Sequence, residues 1–132
     1  MNAEAHRRAI RESIEMIEEC VQVGAGERQR TIGFHCSVAA SDILELYLHS
    51  QNLIGPGTAI KHEFFASERK ANERLPFDFS SKNAIIKLMI EIESKRNALC
   101  YGRPQPAEAI AEVIRTFNKL RKLFDSIGVK YE

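Results

Sequence analysis

Residues 36–52 read CSVAASDILELYLHSQN. Cys36, Ala39, Ala40, Ile43, Leu46, Tyr47 and Ser50 recur every third or fourth position, the period of an α-helix. Leu44 and Leu48 lie beside that stripe and widen it. A helix apolar over so much of its circumference packs on more than one neighbour. Its start falls between Glu27 and Thr31 and its end near Gln51, where NLIGPG at 52–57 follows and Pro56 prevents continuation. Such a segment demands a protein built of helices.

Working outward, the flanking segments supply them. Ala3 to Val23 carries Ile10, Ile14, Ile17 and Val21 at helical spacing, and GAG at 24–26 ends it. Downstream, HEFFASERKANERL at 62–75 reads as a short helix with Phe64, Phe65 and Leu75 turned inward, closed by Pro76. Ser80 or Ser81 is the expected N-cap of a third long helix that runs to about Leu99, with Ile85, Leu88, Met89, Ile92 and Leu99 inside. A fourth starts at Pro106 or Ala107, where proline's missing N–H costs nothing, and buries Ile110, Val113, Ile114, Phe117, Leu120 and Phe124. Gly128 ends it, and VKYE is expected to fray. The expectation is one all-α domain over residues 1–132, an up-and-down bundle of four long helices plus a short helix in the 60–75 region.

A chain of 132 residues can bury a core without disulfides or structural metal. Its net charge of +1 recruits neither nucleic acid nor membrane globally, so any such binding needs a local patch. No apolar run is long enough to span a bilayer, and the opening MNAEAHRRAIRESIEMIEEC lacks the apolar centre of a secretory leader. Three cysteines, Cys20, Cys36 and Cys100, without CxxC spacing, read as free thiols of a cytoplasmic protein. There is no GxGxxG, Walker loop, HExxH or GxSxG, and His35–Cys36 lacks partners at ligand spacing; neither metal nor cofactor is expected. His35, Asp42 and His49 lie seven apart and read as a solvated stripe on the second long helix. Glu91 and Glu93 flank Ile92 and are expected to face water.

The remaining stretch is IEIESKRNALCYGRPQP, residues 90–106. It can be a plain helix end: Lys95 and Arg96 would complement the negative pole of the dipole, Gly102 would cap and Pro104 would stop. It can also be a site. Asn97 is a poor helix former, and Arg96, Asn97 and Tyr101 can together donate to a phosphate if their tips converge where the helix unwinds.

The order of parts resembles the HEPN superfamily (higher eukaryotes and prokaryotes nucleotide-binding domains) over roughly residues 3 to 124. An alanine-containing apolar helix is followed by a loop with a His, IKHEFF, by a third helix ending in Arg plus a polar residue, KRNALCYG, and by an amphipathic helix. The family's mark is an Arg, usually with a polar follower, and a His four to six residues on. In ribonuclease members the motif meets its two-fold mate across a dimer cleft and cleaves RNA without metal. Arg96 and Asn97 match, while Tyr101 stands where the His belongs. A His near about 6.5 passes protons at neutral pH, whereas a free Tyr near about 10 is a weak base there. His62 resembles a His found after the second helix in many members.

The resemblance thus implies a homodimer binding RNA or nucleotide at a cleft, with weak or lost nuclease activity. Arg96, Asn97 and Tyr101 would be its reactive trio, and Lys95, Arg96, Arg103 and His62 its binding residues. It also implies a minimal nucleotidyltransferase as partner in a toxin–antitoxin-like module. Arg115, Lys119 and Lys122 could extend the basic patch or form a solvated face. Two other readings stay open: an active metal-independent endoribonuclease in which Tyr101 or His62 moves protons, and a protein-interaction module without chemistry.

Overall fold

The computed structural model describes residues 2–132, and these are all-helical. The five α-helices are α1 (Ala3–Gly24), α2 (Gln29–Ser50), α3 (Glu68–Arg74), α4 (Lys82–Tyr101) and α5 (Ala107–Ser126). Two 3₁₀ turns, Ala25–Glu27 and His62–Ala66, fill the connections after α1 and before α3. The short helix expected at 62–75 is thus a 3₁₀ turn and α3, split at Ser67, whose hydroxyl accepts from the Lys70 N–H at 3.1 Å. Phe65 and Leu75 are buried beneath it, as their spacing suggested.

α2 is the centre of the molecule. It packs against α1, α4 and α5, whereas α1 does not meet α4 or α5 at close backbone range. Thirteen of its residues are buried, and its apolar groups run round the circumference rather than along one stripe. The pairs Ser13–His35 and His6–Glu45 run α1 antiparallel to α2, and Arg30–Cys100 and Phe34–Arg96 do the same for α4. Gly33 lets α2 and α4 approach: a β-carbon there would stand 2.8 Å from Leu99 Cβ.

Three local expectations change. Ser81 occupies the N-cap position of α4 with φ 59°, in the left-handed region, and its hydroxyl caps nothing. Instead Lys82 Nζ donates to the carbonyls of Leu75 and Phe77, both at 2.8 Å, and holds the connection closed. Val21 is half exposed although neighbouring Cys20 is buried, because it lies at the edge of the apolar stripe, on a surface groove between α1 and α5. The tail does not fray. Gly128 turns the chain with φ 87°, and Val129 and Tyr131 are buried. Arg7 Nε donates to the Lys130 carbonyl and Arg11 Nη1 to that of Tyr131, each at 3.1 Å, while Arg121 Nε donates to the Tyr131 hydroxyl at 3.0 Å. The tail therefore straps α1 to α5, through pairs some 120 residues apart in the chain.

Candidate functional site

The C-terminal end of α4 is built against the N-terminal end of α2. The last carbonyls of a helix lack partners within it, and here α2 provides donors. Arg30 Nε donates to the Cys100 carbonyl at 2.9 Å, and Gln29 Nε2 to those of Leu99 and Arg103, each at 3.1 Å. Gln29 Oε1 accepts the Gln105 N–H at 2.7 Å, which shapes the turn. Gly102 is the C-cap, and no larger residue fits, since a β-carbon would lie 2.5 Å from the Ala98 carbonyl oxygen. α4 continues to Tyr101, so Lys95 and Arg96 lie before its last turn and do not serve as dipole cations. Arg30 takes that role from outside the helix.

This continuation decides where the motif side chains go. Five residues of regular helix leave Arg96 and Tyr101 about 140° apart around the axis. Asn97 and Tyr101 face solvent, Tyr101 at 74% exposure, while Arg96 turns inward and is only 8% exposed. The trio is not brought together. The guanidinium carbon of Arg96 lies 5.6 Å from the centroid of the Phe34 ring. Its Nε and Nη1 atoms are buried with no hydrogen-bond partner, and its nearest carboxylate, Glu93, stands 4.0 Å from Nε.

Glu93 is the residue that sequence reasoning missed. Expected in water, it is 6% exposed, with both carboxylate oxygens on His62 Nδ1 at 2.9 and 2.8 Å. Met89, Glu93, Arg96 and Cys100 follow one another at steps of four, three and four, so they share one stripe of α4. That spacing, flanked by two apolar residues, was the available signal. His62 is about one-third exposed and comes within ion-pair range of Glu63 as well. The result is a chain from a solvent-reachable imidazole through a buried carboxylate to a buried guanidinium.

The remaining predicted residues are spread out. Lys95 pairs with Glu112 of α5 at 3.1 Å, and Arg103 sits exposed on the turn. Arg115 pairs with Glu108, while Lys119 and Lys122 are exposed. Burial raises the Cys100 thiol above its ordinary value despite the opposing pull of Arg96 and Arg30, which disfavours the thiolate a nucleophile requires. Among the described residues, no group of three or more His, Cys, Asp or Glu side chains is placed to hold a metal ion. No described helix is long and apolar enough to cross a membrane.

A second polar cluster lies on the α1 side of α2, in place of the solvated stripe. His35 Nδ1 meets the Ser13 hydroxyl at 3.2 Å, and His49 Nε2 meets the Thr58 carbonyl at 3.1 Å. Buried Glu45 pairs with His6 and accepts the Ile60 N–H at 2.6 Å, tying α1 and the following loop to α2. Burial pushes the nearby Asp42 carboxyl up from 3.8 to about 6, with Glu45 adding to the rise and His6 opposing it. A folded-state value above the unfolded one means the native protein holds its proton more tightly. Asp42's contribution to stability is therefore fullest below 3.8 and is lost as pH rises to about 6. Asp42→Asn, which imitates the protonated acid, is expected to match the wild type at the acid end and to exceed it increasingly up to that point. Urea midpoints of both proteins across the range test this, and parallel curves would refute it.

Compared with known proteins, the chain matches no family model, no curated protein and no solved structure.

Proposed function

We propose that this chain is a HEPN-like helical homodimer that binds RNA or nucleotide through Arg96, with weak or lost nuclease activity. In this reading the four long helices form the up-and-down bundle of that superfamily, with α3 as its short extra helix. The physiological partner is a minimal nucleotidyltransferase in a toxin–antitoxin-like module. One observation carries the binding reading. A guanidinium buried with two unpartnered nitrogens costs free energy, and an anionic ligand with paired oxygens is the group that offsets such a cost. Exposed Arg30 and Arg103 add positive charge at the same end of the bundle. Val21, Val23 and Tyr101, three of the four exposed large apolar side chains among the described residues, lie near where α1 and α4 end and α2 begins and offer contacts to a two-fold mate beside Phe34. A two-fold mate covering that end would double the basic groups.

A second reading has support of its own. His62 and Arg96 approach the same carboxylate, so an endoribonuclease here would draw its protons through His62 rather than Tyr101. The 2′-hydroxyl would attack the adjacent phosphate, and Arg96 would stabilise the charge that develops.

Both readings are tested by measuring RNA affinity and cleavage in EDTA for the wild type and Arg96→Ala. Loss of charge-assisted bonds is expected to weaken binding at least tenfold, or about 1.5 kcal/mol. Cleavage by the wild type that is lost in the variant supports the nuclease. Equal RNA affinity in the two proteins would leave an interaction module whose RNALCY stretch is only a helix end. A monomer by light scattering at micromolar concentration would remove the composite cleft.

A further inference from the structure

Phe34 is 44% exposed although it lies in the second turn of α2, opposite the last turns of α4. Its ring is held in place on two sides. The Arg96 guanidinium lies on one, and the His35 ring stands nearly perpendicular to it, with centroids 5.1 Å apart and planes at 86°. Arg30, four residues earlier and so on the same helix face, is exposed beside it. An exposed aromatic surface over a buried cation with two unpartnered nitrogens offers two kinds of contact. The ring suits a flat π-system, and the guanidinium suits a phosphate. A nucleotide carries both a flat base and a phosphate.

We infer that Phe34 is a base-stacking residue, so that the ligand of this site is an unpaired nucleotide whose base lies on the ring while its phosphate engages Arg96. Bases within a duplex already stack on their neighbours, so a single protruding ring reads only splayed or single-stranded ones. The inference rests on the phosphate role of Arg96 and adds recognition of the base. Arg96 also has a positioning role, since its guanidinium packs against the ring.

The test is fluorescence anisotropy with a fluorescein-labelled oligoadenylate and with the abasic ribose-phosphate oligomer of equal length. The full chain is compared with Phe34→Leu, Phe34→Trp and Arg96→Ala. Phe34→Leu is expected to bind oligoadenylate about tenfold more weakly and Phe34→Trp to restore affinity, the usual scale for one stacked base. The abasic oligomer should bind wild type and Phe34→Leu alike. If Phe34→Leu keeps full affinity for oligoadenylate while Arg96→Ala loses it, stacking is overturned and the phosphate site stands. If Phe34→Leu keeps affinity but turns a dimer into a monomer, the ring belongs to a protein interface and the inference fails. Failure of the wild type to bind either oligomer removes the phosphate role of Arg96, and the stacking role with it.

Discussion

Replacing Arg96 with Met is expected to make the protein more stable and to remove its affinity for phosphate-bearing ligands. Arg96 is buried on the α2-facing stripe of α4, and two of its nitrogens meet no acceptor. The folded state therefore bears the loss of their hydration without a compensating bond. Met is unbranched and apolar and follows the aliphatic stem of Arg96, stopping short of the guanidinium beneath Phe34. Relieving buried donors that have no acceptor is expected to gain about 1–3 kcal/mol. Glu93 loses the guanidinium 4.0 Å away but keeps its two contacts with His62, so the loss of this partner subtracts from the gain. Urea unfolding followed by circular dichroism measures the gain. Oligoadenylate should raise the midpoint of the wild type, by linkage, and leave that of Arg96→Met unchanged. A variant that is less stable than the wild type would make the guanidinium a structural strut and end the case for a ligand site. Stability given up at a site that needs a destabilised group is a familiar pattern in functional proteins.

Gly33→Val is expected to destabilise the fold by about 3 kcal/mol, near the upper end for overpacking a close helix contact. The atom that a new β-carbon would meet is Leu99 Cβ, at 2.8 Å. A β-carbon is anchored to its backbone and cannot swing aside as a side-chain tip can, so α2 and α4 must separate. Separation would stretch the bonds from Arg30 and Gln29 to the carbonyls of Cys100 and Leu99. The same change should therefore lower RNA affinity. Gly33→Ala gains about 1 kcal/mol of helix propensity against the same clash, so its net cost should be smaller. Equal stability of Gly33→Val and wild type in urea would show that the interface yields freely and that Gly33 has no packing role.

The helices were legible in the sequence because each carries its own period. α1, α2 and α5 begin and end within one or two residues of where turn residues and spacing place them. The all-round apolarity of Cys36–Leu48 already implied several neighbours, and the structure supplies three. The candidate site was legible only in part. Arg96 stood out by its motif, but its direction depends on α4 remaining regular to Tyr101, and that depends on donors from α2 about 70 residues away. With those donors in place the helix does not unwind, Tyr101 turns to solvent, and Glu93 rather than Tyr101 becomes the nearest polar partner of Arg96.

The tail shows the same division. VKYE has no period, so local reasoning predicts fraying, yet Tyr131 is buried and bonded to Arg11 and Arg121, residues 120 and 10 positions away. By itself, the sequence determined the helices and most of their apolar faces, because these follow from spacing within a few turns. Only the tertiary structure decided which carboxylate lies by Arg96, which imidazole holds that carboxylate, and which ring lies over the guanidinium. Those are contacts between helices, and they depend on how close α2 and α4 can come, a distance that the bare α-carbon of Gly33 allows.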